Sequence, residues 1–116
     1  MSATLIGIGR LGREPKMQYT DAGLAITHLN VAIGSGFGDK KVTTWFDVSS
    51  FGKQAEILNE RLSKGDRVKL VMEFVEVKTY EKKDGSTGVE VRAKLLDFEF
   101  VDSVKSSDGA EEPEEF

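Results

Sequence analysis

In the segment VTTWFDVSSF, alternation places Val42, Thr44, Phe46 and Val48 on one face and Thr43, Trp45, Asp47, Ser49 and Phe51 on the other. The second face is polar, so Trp45 and Phe51 are expected to meet solvent rather than a core. Phe37 stands in the Gly- and Lys-rich stretch GSGFGDKK, and Tyr80 among Lys78, Lys82 and Lys83, both poor places to build an interior. Rings interleaved with Lys and Arg on strands and hairpins supply two things at once: flat faces that stack planar bases, and cations that track phosphates. The phenylalanines Phe46, Phe74, Phe98 and Phe100 are expected to fill the interior.

Other residue groups offer less. Gly7, Gly9 and Gly12 of GIGRLG have the dinucleotide-binding spacing, but that chemistry needs a following helix whose N-terminus receives a pyrophosphate, and Met17, Tyr19 and Ala22 are off helical spacing. His28 lies in an apolar strand as the single histidine, and there is no cysteine, so neither a multi-histidine nor a thiolate metal site is encoded. Ser49 and Ser50 lack a nucleophile-elbow context, and the carboxylates are scattered without a spacing that sets two across a cleft. The sequence reads as that of a non-enzyme without cofactor or metal.

The elements that must position the rings are mostly strands. Thr4 to Ile8 and the β-branched run from Leu24 to Ile33 predict two strands, and Val42 to Phe51 a third. Between Gly52 and Gly65 the period changes: Ala55, Leu58 and Leu62 predict one amphipathic helix of about three turns, closed by Gly65 at its C′ position. Arg67 to Tyr80 and Gly88 to Val101 predict a hairpin around KKDGS. Within its second strand the apolar alternation Val89, Val91, Ala93, Leu95 jumps to Leu96, Phe98, Phe100, the signature of a β-bulge. Five strands, one helix after the third and no βαβ repetition point to a small antiparallel barrel.

A chain of 116 residues is the size of one domain, and it contains neither a secretion signal nor an apolar run long enough to span a membrane, so the cytoplasm is its expected compartment. Its net charge of -4 is unevenly placed. Acidic and basic residues balance from Met1 to Val104, and the whole excess lies in KSSDGAEEPEEF, which has no apolar periodicity and is expected to be a disordered tail. The domain reading is therefore 1–104 as a barrel and 105–116 as an acidic segment.

The run TTWFDVSSFGKQAEILNERLSKGDRVKL resembles the central signature of bacterial single-stranded DNA-binding proteins. LIGIGRLGREPKMQYTDAGLAITHLNVAIGSGF upstream and VKTYEKKDGSTGVEVRAKLLDF downstream are similar to that family's opening strands and its hairpin with closing strand. The resemblance covers about Thr4 to Val101. It implies an all-β OB-fold, a five-stranded Greek-key barrel with one helix after strand 3, assembled as a homotetramer around which single-stranded DNA wraps, without sequence preference, during replication, recombination and repair. It places base stacking on Phe37, Trp45, Phe51 and Tyr80, of which the first and last are commonly Trp in the family, and phosphate contacts on Arg10, Lys41, Lys53 and Lys78. Gln18, Asp47 and Glu76 fall where many relatives carry a basic or other polar residue. Relatives end in acidic residues and an apolar tip that docks on replication, recombination and repair proteins; here the matching residues are Glu111, Glu112, Pro113, Glu114, Glu115 and Phe116, with Pro113 displaced from the aromatic. A barrel of this kind whose exposed aromatics meet a protein instead of DNA is the alternative reading.

Overall fold

The computed structural model describes residues 2–102; the acidic segment 105–116, its proposed boundary and its docking residues lie outside the described residues. In chain order the elements are β1 (Thr4–Leu11), β2 (Lys16–Tyr19), β3 (Ala25–Ser35), a single 3-10 turn (Gly38–Lys40), β4 (Val42–Phe51), α1 (Lys53–Arg61), β5 (Arg67–Glu81) and β6 (Thr87–Asp102). The five long strands expected from the sequence form a closed ring: β1 pairs with β5, β5 with β6, β6 with β4, β4 with β3, and β3 returns to β1 at Arg10–Leu11. All these pairings are antiparallel except β4–β6, which is parallel. Closure leaves few open strand edges, which is how a five-stranded sheet protects itself.

The short strand β2 is an addition to the expected plan. It pairs with the first half of β3, from Lys16 opposite His28 to Tyr19 opposite Ala25, so that β1 and β2 line one edge of β3 end to end. The glycines of GIGRLG thus run along β1 and into a turn that leads to a strand, not to a phosphate-binding helix.

Period-two alternation delivers the core. Val68, Leu70 and Met72 of β5, Leu29 and Val31 of β3, Val48 of β4 and Ala93 and Leu95 of β6 are buried in one cluster with Leu11. The helix follows β4 and packs on β2, β3 and β4. It contributes Leu58, and Leu62 just past its end, to the same cluster. Its cap residue Gly52 offers no side-chain bond, so packing must hold it in place. The fully buried Thr27 hydroxyl helps by donating to the Ala55 carbonyl at 2.7 Å, a bond of the kind worth about 1 kcal/mol net.

Two expectations are corrected. Gly65 does not end the helix: the chain is already extended at Leu62, and Gly65, at φ 94°, occupies a turn closed by the Asp66 amide on the Ser63 carbonyl. Nor do four phenylalanines fill the barrel. Phe46 and Phe98 pack half-buried against the aliphatic cluster, whereas Phe74 and Phe100 are each 38% exposed. Both exposed rings adjoin register shifts of the β5–β6 ladder, where Val75 and Val101 are the extra residues. Each nevertheless lies opposite a core residue, Ala93 for Phe74 and Val68 for Phe100, so both rings sit on the inward side of the ladder and are only incompletely covered. The bulge expected in the last strand is also present, with Leu96 unpaired between Asp97, opposite Val71, and Leu95, opposite Met72. Among the described residues no helix is long and apolar enough to cross a membrane.

Candidate nucleic-acid interface

Because direct partners across a sheet point to the same side, the strand register writes out the outer face of β2, β3, β4, β6 and β5 as rows. One row reads Ala32, Trp45, Glu90, Lys78. The next reads Asn30, Asp47, Arg92, Glu76. A third reads Lys16, His28, Ser49, Lys94, Glu73, and a fourth Gln18, Ile26, Phe51. Trp45 and Phe51 therefore bracket two polar rows on one continuous surface.

Three of the residues singled out in the sequence converge. Trp45, Lys78 and Tyr80 line one cleft of about 480 Å³, together with Gly12, Arg13, Asn30, Thr79 and Glu90. The β5–β6 hairpin forms one wall and the turn after β1 the other. Phe51 lies outside this cleft, in a neighbouring hollow of about 210 Å³ with Asp47, Arg92 and Lys94. The Lys94 ammonium is 5.8 Å from the Phe51 ring centroid, within cation–π range. Phe37 stands apart at the start of the 3-10 turn, 88% exposed.

The cations divide likewise. Lys78 is in the main cleft. Lys41 is exposed just after the 3-10 turn, and Lys53 is exposed at the first position of α1. Arg10 is a row neighbour of Ala32, but its Nη1 donates to the Gly65 carbonyl at 2.7 Å, drawing the guanidinium towards the turn before β5.

Both cleft rings rest on glycine. A Cβ built on Gly12 would lie 2.6 Å from Cζ3 and 2.7 Å from Cη2 of Trp45, and one on Gly88 would lie 2.4 Å from Cζ of Tyr80, its cross-strand partner. Neither glycine has a positive φ, so the missing side chain serves the close approach of a ring rather than a special backbone. A ring laid over bare backbone is fixed in place on one side and presents the other.

The hairpin tip is ordered by its own chemistry. The Ser86 hydroxyl and amide both donate to Asp84 Oδ1, at 2.6 and 2.9 Å, and these bonds hold the Asp84 carboxyl below the usual carboxylate range. A depressed carboxyl contributes order that is complete above its ordinary titration range and is lost as pH falls through its folded value.

The middle row is tied together internally. Arg92 Nη1 donates to Glu76 Oε2 at 3.0 Å, and its Nε is 3.9 Å from Asp47 Oδ2. His28 Nδ1 is 3.9 Å from the other Asp47 oxygen and shares a 3.3 Å hydrogen bond with Ser49 Oγ. Arg13, Asn30, Glu90, Arg92 and Lys94 escaped the sequence reading, and Gly12 entered it only through the nucleotide-loop spacing. Outward alternation in VEVRAK marks Glu90, Arg92 and Lys94, but only the β4–β6 register reveals which β4 residues they face. Among the described residues no group of three or more His, Cys, Asp or Glu is placed to hold a metal ion.

A closed five-stranded barrel with its helix between the third and fourth barrel strands is an OB-fold, and one outer face of it carries half-buried Trp45, exposed Phe51 and Tyr80, and cations. The Single-strand binding protein family matches residues 2–101, and the chain belongs to that family. Among curated proteins it is similar to the single-stranded DNA-binding protein of Xanthomonas campestris pv. campestris, 38% identical over 91 residues that cover 74% of this chain and 51% of that one. It is equally similar, at 38% over 91 residues, to the single-stranded DNA-binding protein of Xanthomonas axonopodis pv. citri, of which 48% is covered. The chain thus spans about half the length of the curated relatives it matches. Among solved structures, a deletion mutant of the single-stranded DNA binding protein from Thermus aquaticus superposes with a TM-score of 0.68 at 28% identity, over 90% of this chain and 52% of that one.

The glycine seat is directly testable. Gly12→Ala is expected to keep the fold, at a cost of about 1–3 kcal/mol for the crowded site, while displacing Trp45 and changing its near-UV circular dichroism. An unaltered Trp signal would show that Gly12 does not position the ring.

Proposed function

We propose that this protein binds single-stranded DNA without regard to sequence, by stacking bases on Phe37, Trp45, Phe51 and Tyr80 and by neutralising phosphates with Lys41, Lys53, Lys78 and Arg10. The observation that carries the reading is the open cleft in which Trp45 and Tyr80 meet beside Lys78 and Arg13. Arg13 and Lys94 join the proposed phosphate contacts because they stand beside Trp45 and Phe51, respectively. Family membership and the printed functions of the Xanthomonas and Thermus relatives support the same substrate class. Stacking accepts every base because every base has a π face.

In this reading residues 1–104 form the binding domain, which works in the cytosol on strands exposed during replication, recombination and repair. The barrel assembles with copies of itself, as a tetramer. Ile6 and Ile8, exposed on the outer face of β1 by 68% and 52%, support such an assembly. The acidic segment 105–116, with Glu111, Glu112, Pro113, Glu114, Glu115 and Phe116, competes with DNA for the cationic surface and offers partner proteins a docking sequence. Because residues 1–104 are electrically balanced, stacking supplies more of the affinity than charge does.

Stacking contributes about 1–3 kcal/mol per base, so Trp45→Ala is expected to weaken oligo-dT binding by about fivefold to a hundredfold in fluorescence anisotropy of a labelled strand. Unchanged affinity would remove Trp45 from the interface. Deleting Lys105 to Phe116 is expected to tighten binding at low salt and to matter less as salt screens the competition. Weaker binding after deletion would instead make the segment part of the site.

A further inference from the structure

Lys78, Arg92 and Lys94 occupy successive rows of the outer face on β5 and β6, a line of three cations running from beside Trp45 to beside Phe51. With a rise of about 3.3 Å per residue, Asp47 and its row lie about 7 Å along β4 from Trp45 and about 13 Å from Phe51. A strand stacked on both rings must cross this row. Yet its central cation is the one held by carboxylates on both sides: Glu76 at 3.0 Å and Asp47 at 3.9 Å. The row carries two negative charges to one positive, with His28 on the far side of Asp47.

We propose that Arg92 is a phosphate-binding residue held in reserve by Asp47 and Glu76, and that these two carboxylates set the affinity and salt dependence of single-strand binding at the centre of the face. The inference rests on the DNA-binding reading above. All three side chains are partly exposed, Arg92 by 38%, Asp47 by 31% and Glu76 by 49%, so water weakens their attraction and the pairs can exchange. Phosphate competes for the same guanidinium with the planar, bidentate geometry that suits it. In the wild-type chain each phosphate passing the row faces two carboxylates before it gains one arginine. The arrangement lowers affinity where the strand must remain displaceable, while leaving stacking on Trp45 and Phe51 untouched.

The test is a titration of labelled oligo-dT by anisotropy at several salt concentrations, using wild type, Asp47→Asn, Glu76→Gln, the double variant, and the double variant with Arg92→Gln. Circular dichroism and Tm confirm that each is folded. The double variant is expected to bind about threefold to tenfold tighter at low salt, and its log K against log salt slope to steepen by about 0.7, the increment for one new ionic contact with a single strand. Adding Arg92→Gln is expected to cancel the steeper slope and most of the gain. Three results would overturn the proposal: no change in the double variant, weaker binding in it, or a gain that survives Arg92→Gln in full. A wild-type chain that fails to bind oligo-dT would remove the DNA-binding reading itself and the Arg92 assignment with it; wild-type binding with unresponsive variants would overturn only the latter.

Discussion

The parallel pairing of β4 with β6 is the constraint on which the rest of the surface depends. It closes the barrel, and the same register that sets Val48 opposite Ala93 inside sets Trp45 opposite Glu90 and Asp47 opposite Arg92 outside. Because side chains alternate with a period of two, slipping this pairing by one residue would carry Val48 out to water and bring Trp45, Asp47 and Ser49 in. The buried Leu and Val of the core therefore specify the outer face indirectly. Their preference for the interior fixes which rings and charges stand in line outside.

What the face does follows from how its rings are held. Trp45 and Tyr80 lie against glycines on neighbouring segments; in the proposed role this limits the freedom each ring would lose on stacking with a base. Phe51 is placed differently, beside a cation rather than over a glycine. The charges are arranged more sparingly than the rings. Carboxylates alternate with cations in the Asp47 row, and Glu90 stands beside Lys78 in the Trp45 row, so the surface offers a polyanion local footholds rather than a broad positive field. That distribution agrees with the electrical balance of residues 1–104.

Much of this was legible in the residues. The alternation in VTTWFDVSSF separated Val48 and Phe46 from Trp45 and Phe51, and the polar company of Trp45 marked its face as wet. The hairpin, the helix and the bulge at Leu96 were written in turn residues, a change of period and a jump in alternation. Less legible were features that depend on partners distant in sequence. Strand β2 has no alternation of its own and exists because the first half of β3 offers it an edge. Phe74 and Phe100 look like core residues and do lie on the inward side, opposite Ala93 and Val68, yet each stays 38% exposed, which alternation alone does not show. Gly12 looked like part of a phosphate loop, and its contact with a ring 33 positions away requires the turn after β1 to approach β4. Arg92 alternates outward like many surface arginines; its two carboxylates come from different strands.

In the proposed reading Trp45 is a stacking surface for single-stranded DNA. Titrating the intrinsic fluorescence of this one tryptophan with unlabelled oligo-dT at low and moderate salt tests it most directly. If Trp45 stacks bases, quenching is saturable at both concentrations, while affinity falls as salt rises with a log K against log salt slope of about -0.7 for each phosphate contact. Emission that ignores oligo-dT at both salt concentrations would contradict the account, and would leave the exposed rings as a surface for a protein partner.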